Sequence, residues 1–199
     1  MSRRLLDKDF DEEVLGRCLE ESYHYGLERI STKRIAASLG VSEPVIFLHF
    51  KDKKNLLSQA FLRAWRPFDD FERIPVFVYL LGVDETQKQE IFSQVKKALR
   101  YKKEFIFLAQ YDASIKYFDF DLVYKTLAKR RERVMSSFQE TARVSPTLRL
   151  DLVSCFYMSN FIAMMAHLGK GDYALNPDNV ARLLNGLLYG MRGYLNGVI

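Results

Sequence analysis

Three histidines (His24, His49 and His167) and two cysteines (Cys18 and Cys155) are the side chains of this 199-residue chain best suited to metal or nucleophile chemistry. They fall on separate segments, with no spacing that would gather ligands around one ion. No glycine-rich phosphate loop, nucleophile elbow or paired-carboxylate motif accompanies them. No catalytic residue, metal or cofactor is therefore expected. A different chemistry is concentrated between Ile30 and Leu57, where ISTKRIAASLGVSEPVIFLHFKDKKNLL combines lysines with apolar residues that cannot all be buried.

Local rules position these residues on short helices. Ser31 and Thr32 can cap a helix whose Ile35, Ala36 and Leu39 recur at i, i+1 and i+4. Gly40 ends it, since glycine enters a left-handed turn without steric cost. Ser42 caps the next helix, and Pro44 lies in its first turn, where a missing N–H costs nothing. Ile46 and Phe50 face inward with Leu39 and Val41. Glu43, Pro44, Val45, Phe47, Leu48 and His49 are left on or near the surface. A short helix with Val, Phe and Leu facing out needs something to meet, and a helix-turn-helix presents its second helix to the major groove. Lys51, Lys53 and Lys54 surround Asp52, the expected cap of a further helix. Lysines there oppose the helix dipole unless an anion such as DNA phosphate docks between them.

This stretch resembles the DNA-binding end of the TetR family of bacterial transcriptional regulators. The family's Thr-x-x-Ile-Ala helix, Gly-Val-Ser turn and Leu-Tyr-x-Tyr/His-Phe-x-x-Lys ending stand here as TKRIA and GVSEPVIFLHFKDK. The likeness spans roughly residues 9–66 and is specific in its spacing. It implies that Thr32 and Lys33 meet backbone and a base edge, and that Ser42 belongs to the same surface. Glu43, Pro44, Val45, Leu48 and His49 would face the groove, and Lys53 would hold a phosphate. Phe47 replaces the usual tyrosine, so the hydroxyl contact to phosphate is absent. Glu43 either reads a cytosine amino group or repels the backbone.

Composition agrees with a soluble globular chain. Hydrophobic residues are 48% of it, which sets disorder aside, and the net charge of +5 permits nucleic-acid binding without demanding it. Two cysteines on apolar helical faces read as buried thiols in a reducing compartment. The N-terminal MSRRLLDKDFDEE is charged and has no apolar signal region, so the expectation is a cytoplasmic protein, on the bacterial nucleoid when DNA-bound.

The whole chain reads as all-α, with about nine helices. A first helix runs from about Asp9 to Tyr25 and closes at Gly26. Residues 1–51 form the helix-turn-helix head, and 52–199 an effector-binding and dimerisation domain. A connector helix is expected at about 52–71, kinked or ended by Pro67. Ile74–Val83 is apolar and β-rich but has no sheet to join, so it reads as a buried helical or irregular segment. Helices follow to about Tyr101, over KKEFIFLAQYDA, and from Asp121 to Arg143. The last of these has a basic outer face of Lys125, Lys129, Arg130, Arg131 and Arg133, read as solvated in preference to a second anion-binding surface.

The two final helices, about 146–168 and 177–196, start with Ser145-Pro146 and Asn176-Pro177. The first is apolar on nearly every side, but is too short and too broken by Ser154, Ser159, Asn160 and His167 for a membrane span. Gly186, Gly190 and Gly193 make a stripe on the second, although each interior glycine costs about 1 kcal/mol. Close helix approach explains the stripe, across a dimer or, as the alternative, within one subunit. TetR-like proteins dimerise through these helices. The expected homodimer interface is Phe156, Met164, Leu183, Gly186, Leu187, Gly190, Gly193 and Tyr194. A two-fold dimer would set its recognition helices about 34 Å apart on a near-palindromic operator.

Aromatics form 14% of the chain and crowd the part after the head, where TetR-type proteins enclose a small-molecule pocket. The candidate lining is Phe61, Trp65, Phe105, Gln110, Tyr111, Tyr124, Phe156, Asn160 and His167, with ordinary core packing the alternative for each aromatic. The resemblance thus implies a sequence-specific regulator of double-stranded DNA, a repressor released by an apolar or aromatic effector. Two other readings fit the residues. One is a chromosome-associated protein of the same fold that answers to protein partners. The other is a dimeric ligand-binding bundle with a degenerate head.

Overall fold

The computed structural model describes residues 8–67, 84–111, 116–141 and 150–195. Among them are nine α-helices and no strand, the all-α class expected. In chain order these are α1 (Lys8–Tyr25), α2 (Thr32–Ser38), α3 (Glu43–His49), α4 (Lys53–Ala64), α5 (Glu85–Ala98), α6 (Lys102–Ala109), α7 (Phe120–Thr141), α8 (Leu150–Lys170) and α9 (Pro177–Leu195). Short 3-10 turns cover Leu27–Arg29 and Leu99–Tyr101. The Ile74–Val83 segment and the Ser145-Pro146 cap lie outside the described residues. No described helix is long and apolar enough to cross a membrane.

The chain divides into two compact units, Met1–Arg66 with Lys103–Thr126, and Pro67–Lys102 with Leu127–Ile199. In the first, α1 buries Phe10, Val14, Leu15, Cys18 and Leu19, one stripe at helical period. Ile35 and Ala36 of α2, Ile46 of α3, and Leu56, Leu57, Ala60, Phe61 and Ala64 of α4 complete the packing. Burying one such Leu, Ile or Phe side chain stabilises by about 1.5–3 kcal/mol, far more than helix propensity gives a seven-residue helix. Cys18 is fully buried, and burial pushes its thiol up to about 12, so it packs as a small apolar group.

The fourth helix stops at Ala64, short of the residue 71 expected. Pro67 explains the stop. Its ring would clash with the carbonyl of Arg63, and it disfavours helical geometry at Arg66. The chain tightens instead, with Arg66 N–H donating to the Arg63 carbonyl at 3.1 Å.

A distant segment closes this unit. Phe61 lies 4.7 Å, ring centre to ring centre, from Tyr111 and 5.7 Å from Phe118, with Trp65 at 6.0 Å. Buried Ser58 accepts from Asp119 N–H at 2.7 Å and donates to the Lys54 carbonyl at 2.8 Å. Lys103 pairs with Glu20 at 2.8 Å, and Arg63 stands between Glu12 and Glu104. Hydrogen bonds from Lys103 and Arg17 hold the Glu20 carboxyl below its ordinary value.

Gln110 makes the most demanding of these links. Its Oε1 accepts from Leu27 N–H at 2.7 Å, while Nε2 donates to Ser22 Oγ at 3.1 Å and to the Ile106 carbonyl at 2.9 Å. Gly26, just before Leu27, takes a φ of 82°, a conformation that favours glycine. Removing the amide would leave the N–H of buried Leu27 without its acceptor. Gln110→Ala is therefore expected to cost about 1–3 kcal/mol, read as a lower urea midpoint. An unchanged midpoint would mean that water replaces the amide.

In the second unit α9 packs against α5 and α8. Ile91, Val95 and Ala98 of α5 are buried in this unit, as are Phe161, Ile162, Met165 and Leu168 of α8 and Val180, Ala181 and Leu184 of α9. The α9 start has the expected cap, with Asn179 N–H donating to Asn176 Oδ1 at 2.8 Å. Close approach occurs at Gly169, where a Cβ would come 2.8 Å from the Cβ of Lys102.

Candidate nucleic-acid interface

The helix-turn-helix is built from small polar caps around one glycine. Ser31 Oγ accepts from Arg34 N–H at 3.3 Å and starts α2. Gly40 takes a φ of 68°, and Val41 N–H reaches back to the Ala36 carbonyl at 3.0 Å, so the chain turns sharply into α3. Ser42 is the N-cap of α3 without a side-chain cap bond, which leaves its exposed hydroxyl at the surface. Asp52 caps α4 by accepting from Asn55 N–H at 2.7 Å. The order of caps, turn and proline follows the sequence expectation closely.

On α3, Pro44, Phe47 and Leu48 are exposed, Leu48 at 83%, and Val45 is half-buried. Ile46 faces the interior. The two polar members of this helix turn elsewhere. Thr32 is buried, and its hydroxyl donates to the Glu43 carboxylate, which joins the start of α2 to the start of α3. His49 Nδ1 lies 2.6 Å from Asp11 Oδ1, and the imidazole packs on the Phe10 ring at 4.7 Å. Its side chain is 12% exposed. Both partnerships join residues far apart in sequence, 11 and 38 positions, and no local pattern announces either.

The surrounding charge is basic. Lys33 is exposed at the start of α2, and Lys51 and Lys54 are exposed beside the start of α4. Lys53 is half-buried, with Nζ donating to the Ile30 carbonyl at 2.7 Å, so it braces the loop before α2 while keeping two further donors. Arg34 is committed to structure. It forms hydrogen bonds to Glu21 and the Arg29 carbonyl and lies 4.4 Å over the Tyr25 ring.

The residues expected to line a pocket are distributed over both units. Phe61, Trp65, Phe105 and Tyr111 are buried in the first, where Gln110 is the clamp already described. Tyr124 is half exposed and stacks on Phe120 at 5.4 Å. In the second unit Asn160 is half-buried, and exposed His167 pairs with Asp172 at 2.7 Å. Of the dimer candidates, Met164 is buried within the single chain and Leu183 is half-buried. Gly186 is exposed, with open space where a side chain would project. For Phe156, Leu187, Gly190, Gly193 and Tyr194 the described structure extends to their helical backbone.

Comparison with known proteins meets this geometry at the same residues. The family model for bacterial regulatory proteins of the tetR family matches residues 19–60, from the middle of α1 through most of α4. A TetR-like transcriptional regulator from a Rhodococcus species has a TM-score of 0.58 at 17% identity, covering 94% of this chain and 99% of that one. The TetR family transcriptional regulator PfmR from Thermus thermophilus has a TM-score of 0.56 at 20% identity, covering 88% of this chain and 96% of that one. No curated protein matches the sequence. Helix order, turn geometry and these likenesses define a helix-turn-helix regulator fold. More narrowly, the chain has the fold of the TetR-family transcriptional regulators, and that family's model matches it at residues 19–60.

Proposed function

We propose that the chain is a sequence-specific DNA-binding regulator, a repressor that acts as a homodimer on a near-palindromic site and is released by an apolar or aromatic small molecule. The observation that carries this reading is α3, a helix with Pro44, Phe47 and Leu48 exposed beside Lys33, Lys51 and Lys54. Lys33, Ser42, Pro44, Val45, Phe47 and Leu48 form its DNA face, while buried Thr32 ties the start of α2 to Glu43. Lys53 offers its remaining donors to phosphate, and Glu43 and His49 fix the helix from its two ends. In this division of labour residues 1–51 bind DNA, and 52–199 receive the effector and dimerise. Gly186, exposed with open space around it, supports a partner helix along α9. The protein works in the cytoplasm, on the nucleoid when bound.

Release follows from the spacing of two half-sites. A dimer fits its operator when the two α3 helices stand about one helical turn of DNA apart. Effector binding that favours another spacing removes one half-site's contacts, and it shifts the equilibrium only by its difference in affinity for the two states. The rings of Phe61, Trp65 and Tyr111 on and against α4 are the proposed place where effector and head meet.

Selection from a random-sequence duplex pool, with salt titration of the recovered sites, tests this directly. The expected result is a near-palindrome bound tightly by a dimer. Weak binding without a motif, lost at moderate salt, would overturn the regulator reading and leave a basic surface on a ligand-binding bundle.

A further inference from the structure

We propose that α3 reads its operator through the 5-methyl groups of thymine, with Leu48 as the principal contact and Pro44 and Val45 beside it. The inference rests on the DNA-binding reading above and specifies what that helix recognises. A recognition helix reads bases by hydrogen bonds to their edges or by apolar contact, and the apolar feature of the major groove is the thymine methyl.

The residues of α3 decide between these. Its seven side chains include two with hydrogen-bonding groups, Glu43 and His49. Glu43 accepts from the Thr32 hydroxyl, and His49 is held by Asp11 and Phe10 with its side chain 12% exposed. Ile46 is buried. What remains is Pro44, Val45, Phe47 and Leu48, none of which carries a side-chain donor or acceptor. Positions 44, 45 and 48 share one helical face. Leu48 is 83% exposed at its centre.

The charges name the occupant of that face. Exposed Lys33 lies at the start of α2, which the Thr32–Glu43 bond joins to the start of α3, and exposed Lys51 and Lys54 follow α3 in the chain, a combination that suits a polyanion whose interior is apolar. Duplex DNA with thymines in the groove has both properties. An apolar protein surface would meet the leucine and leave the lysines without counter-charges.

Deoxyuridine in place of thymine removes the methyl and keeps every hydrogen-bonding group, so it isolates the contact. On the operator recovered by selection, each half-site is substituted one thymine at a time, and binding of the full-length dimer is measured. At one or more central thymines, deoxyuridine is expected to weaken binding about three- to fivefold, the scale of one buried methyl group. Substitution at both half-sites multiplies the losses. Leu48→Ala should bind the thymine and deoxyuridine sites equally, because it removes the other half of the contact, and its salt slope should match the parent's. An operator with no deoxyuridine-sensitive thymine would overturn the inference while the regulator reading stands. A Leu48→Ala protein that keeps the full thymine preference would overturn the assignment to Leu48. A pool that yields no motif would overturn both readings together.

Discussion

Phe61→Ala is expected to destabilise the first unit by about 3–5 kcal/mol, the largest single-residue effect anticipated in this chain. The expectation comes from what the ring touches. Phe61 is 1% exposed, and its ring meets Trp65 on its own helix, Tyr111 after α6, and Phe118 ahead of α7. Truncation removes the transfer energy of the ring and opens a cavity that three rigid rings are slow to fill. Because the unit draws on α1–α4 and on residues 103–126 together, a loss there should lower the stability of the whole unit. Urea unfolding measures it, and Phe61→Leu, which keeps much of the volume, should lose roughly half as much. A shift under about 1 kcal/mol for the alanine variant would mean that the ring cluster is loosely packed.

Loss of charge at the head should have the largest effect on binding. A combined Lys51→Ala, Lys53→Met and Lys54→Ala variant is expected to weaken binding to every duplex, specific or not, by about a thousandfold at low salt. Three charges per protomer, doubled in the proposed dimer, should lower the magnitude of the log–log salt slope by roughly five. Methionine at position 53 keeps the buried stem while giving up the bond to the Ile30 carbonyl, so circular dichroism on the same variant checks that the head remains folded. Unchanged sequence preference with a flatter slope is the signature of phosphate positioning. Altered preference with an unchanged slope would reassign these lysines to the bases.

Much of the head is legible in the sequence because its signals are local. Ser31, Ser42, Asp52 and Asn176 stand where caps are required, and Gly40 takes the positive φ that the turn needs. The apolar stripe of α1 follows from period alone. Contacts between distant segments leave no such trace. Gln110 reads as a polar anchor among aromatics, and its partners are Leu27 and Ser22, 83 and 88 residues away. His49 reads as a groove-facing residue at the end of α3, and Asp11 of α1 takes its imidazole. The end of α4 lies between these cases. Pro67 announces a stop, but where the last turn tightens is not written in any one residue, and the helix ends at Ala64.

The discontinuity of the first unit bears on protein engineering. TetR-like heads invite grafting, in which one regulator's DNA specificity is moved onto another's body by exchanging an N-terminal cassette. In this chain the cassette is not continuous. Cutting after Arg66 would set Phe61 against a foreign loop in place of Tyr111 and Phe118, and would part Leu27 N–H from Gln110 and Ser58 from Asp119. A transplant that also carries residues 103–126 keeps all of these partners. The portable part of this protein is therefore two pieces of sequence that travel as one.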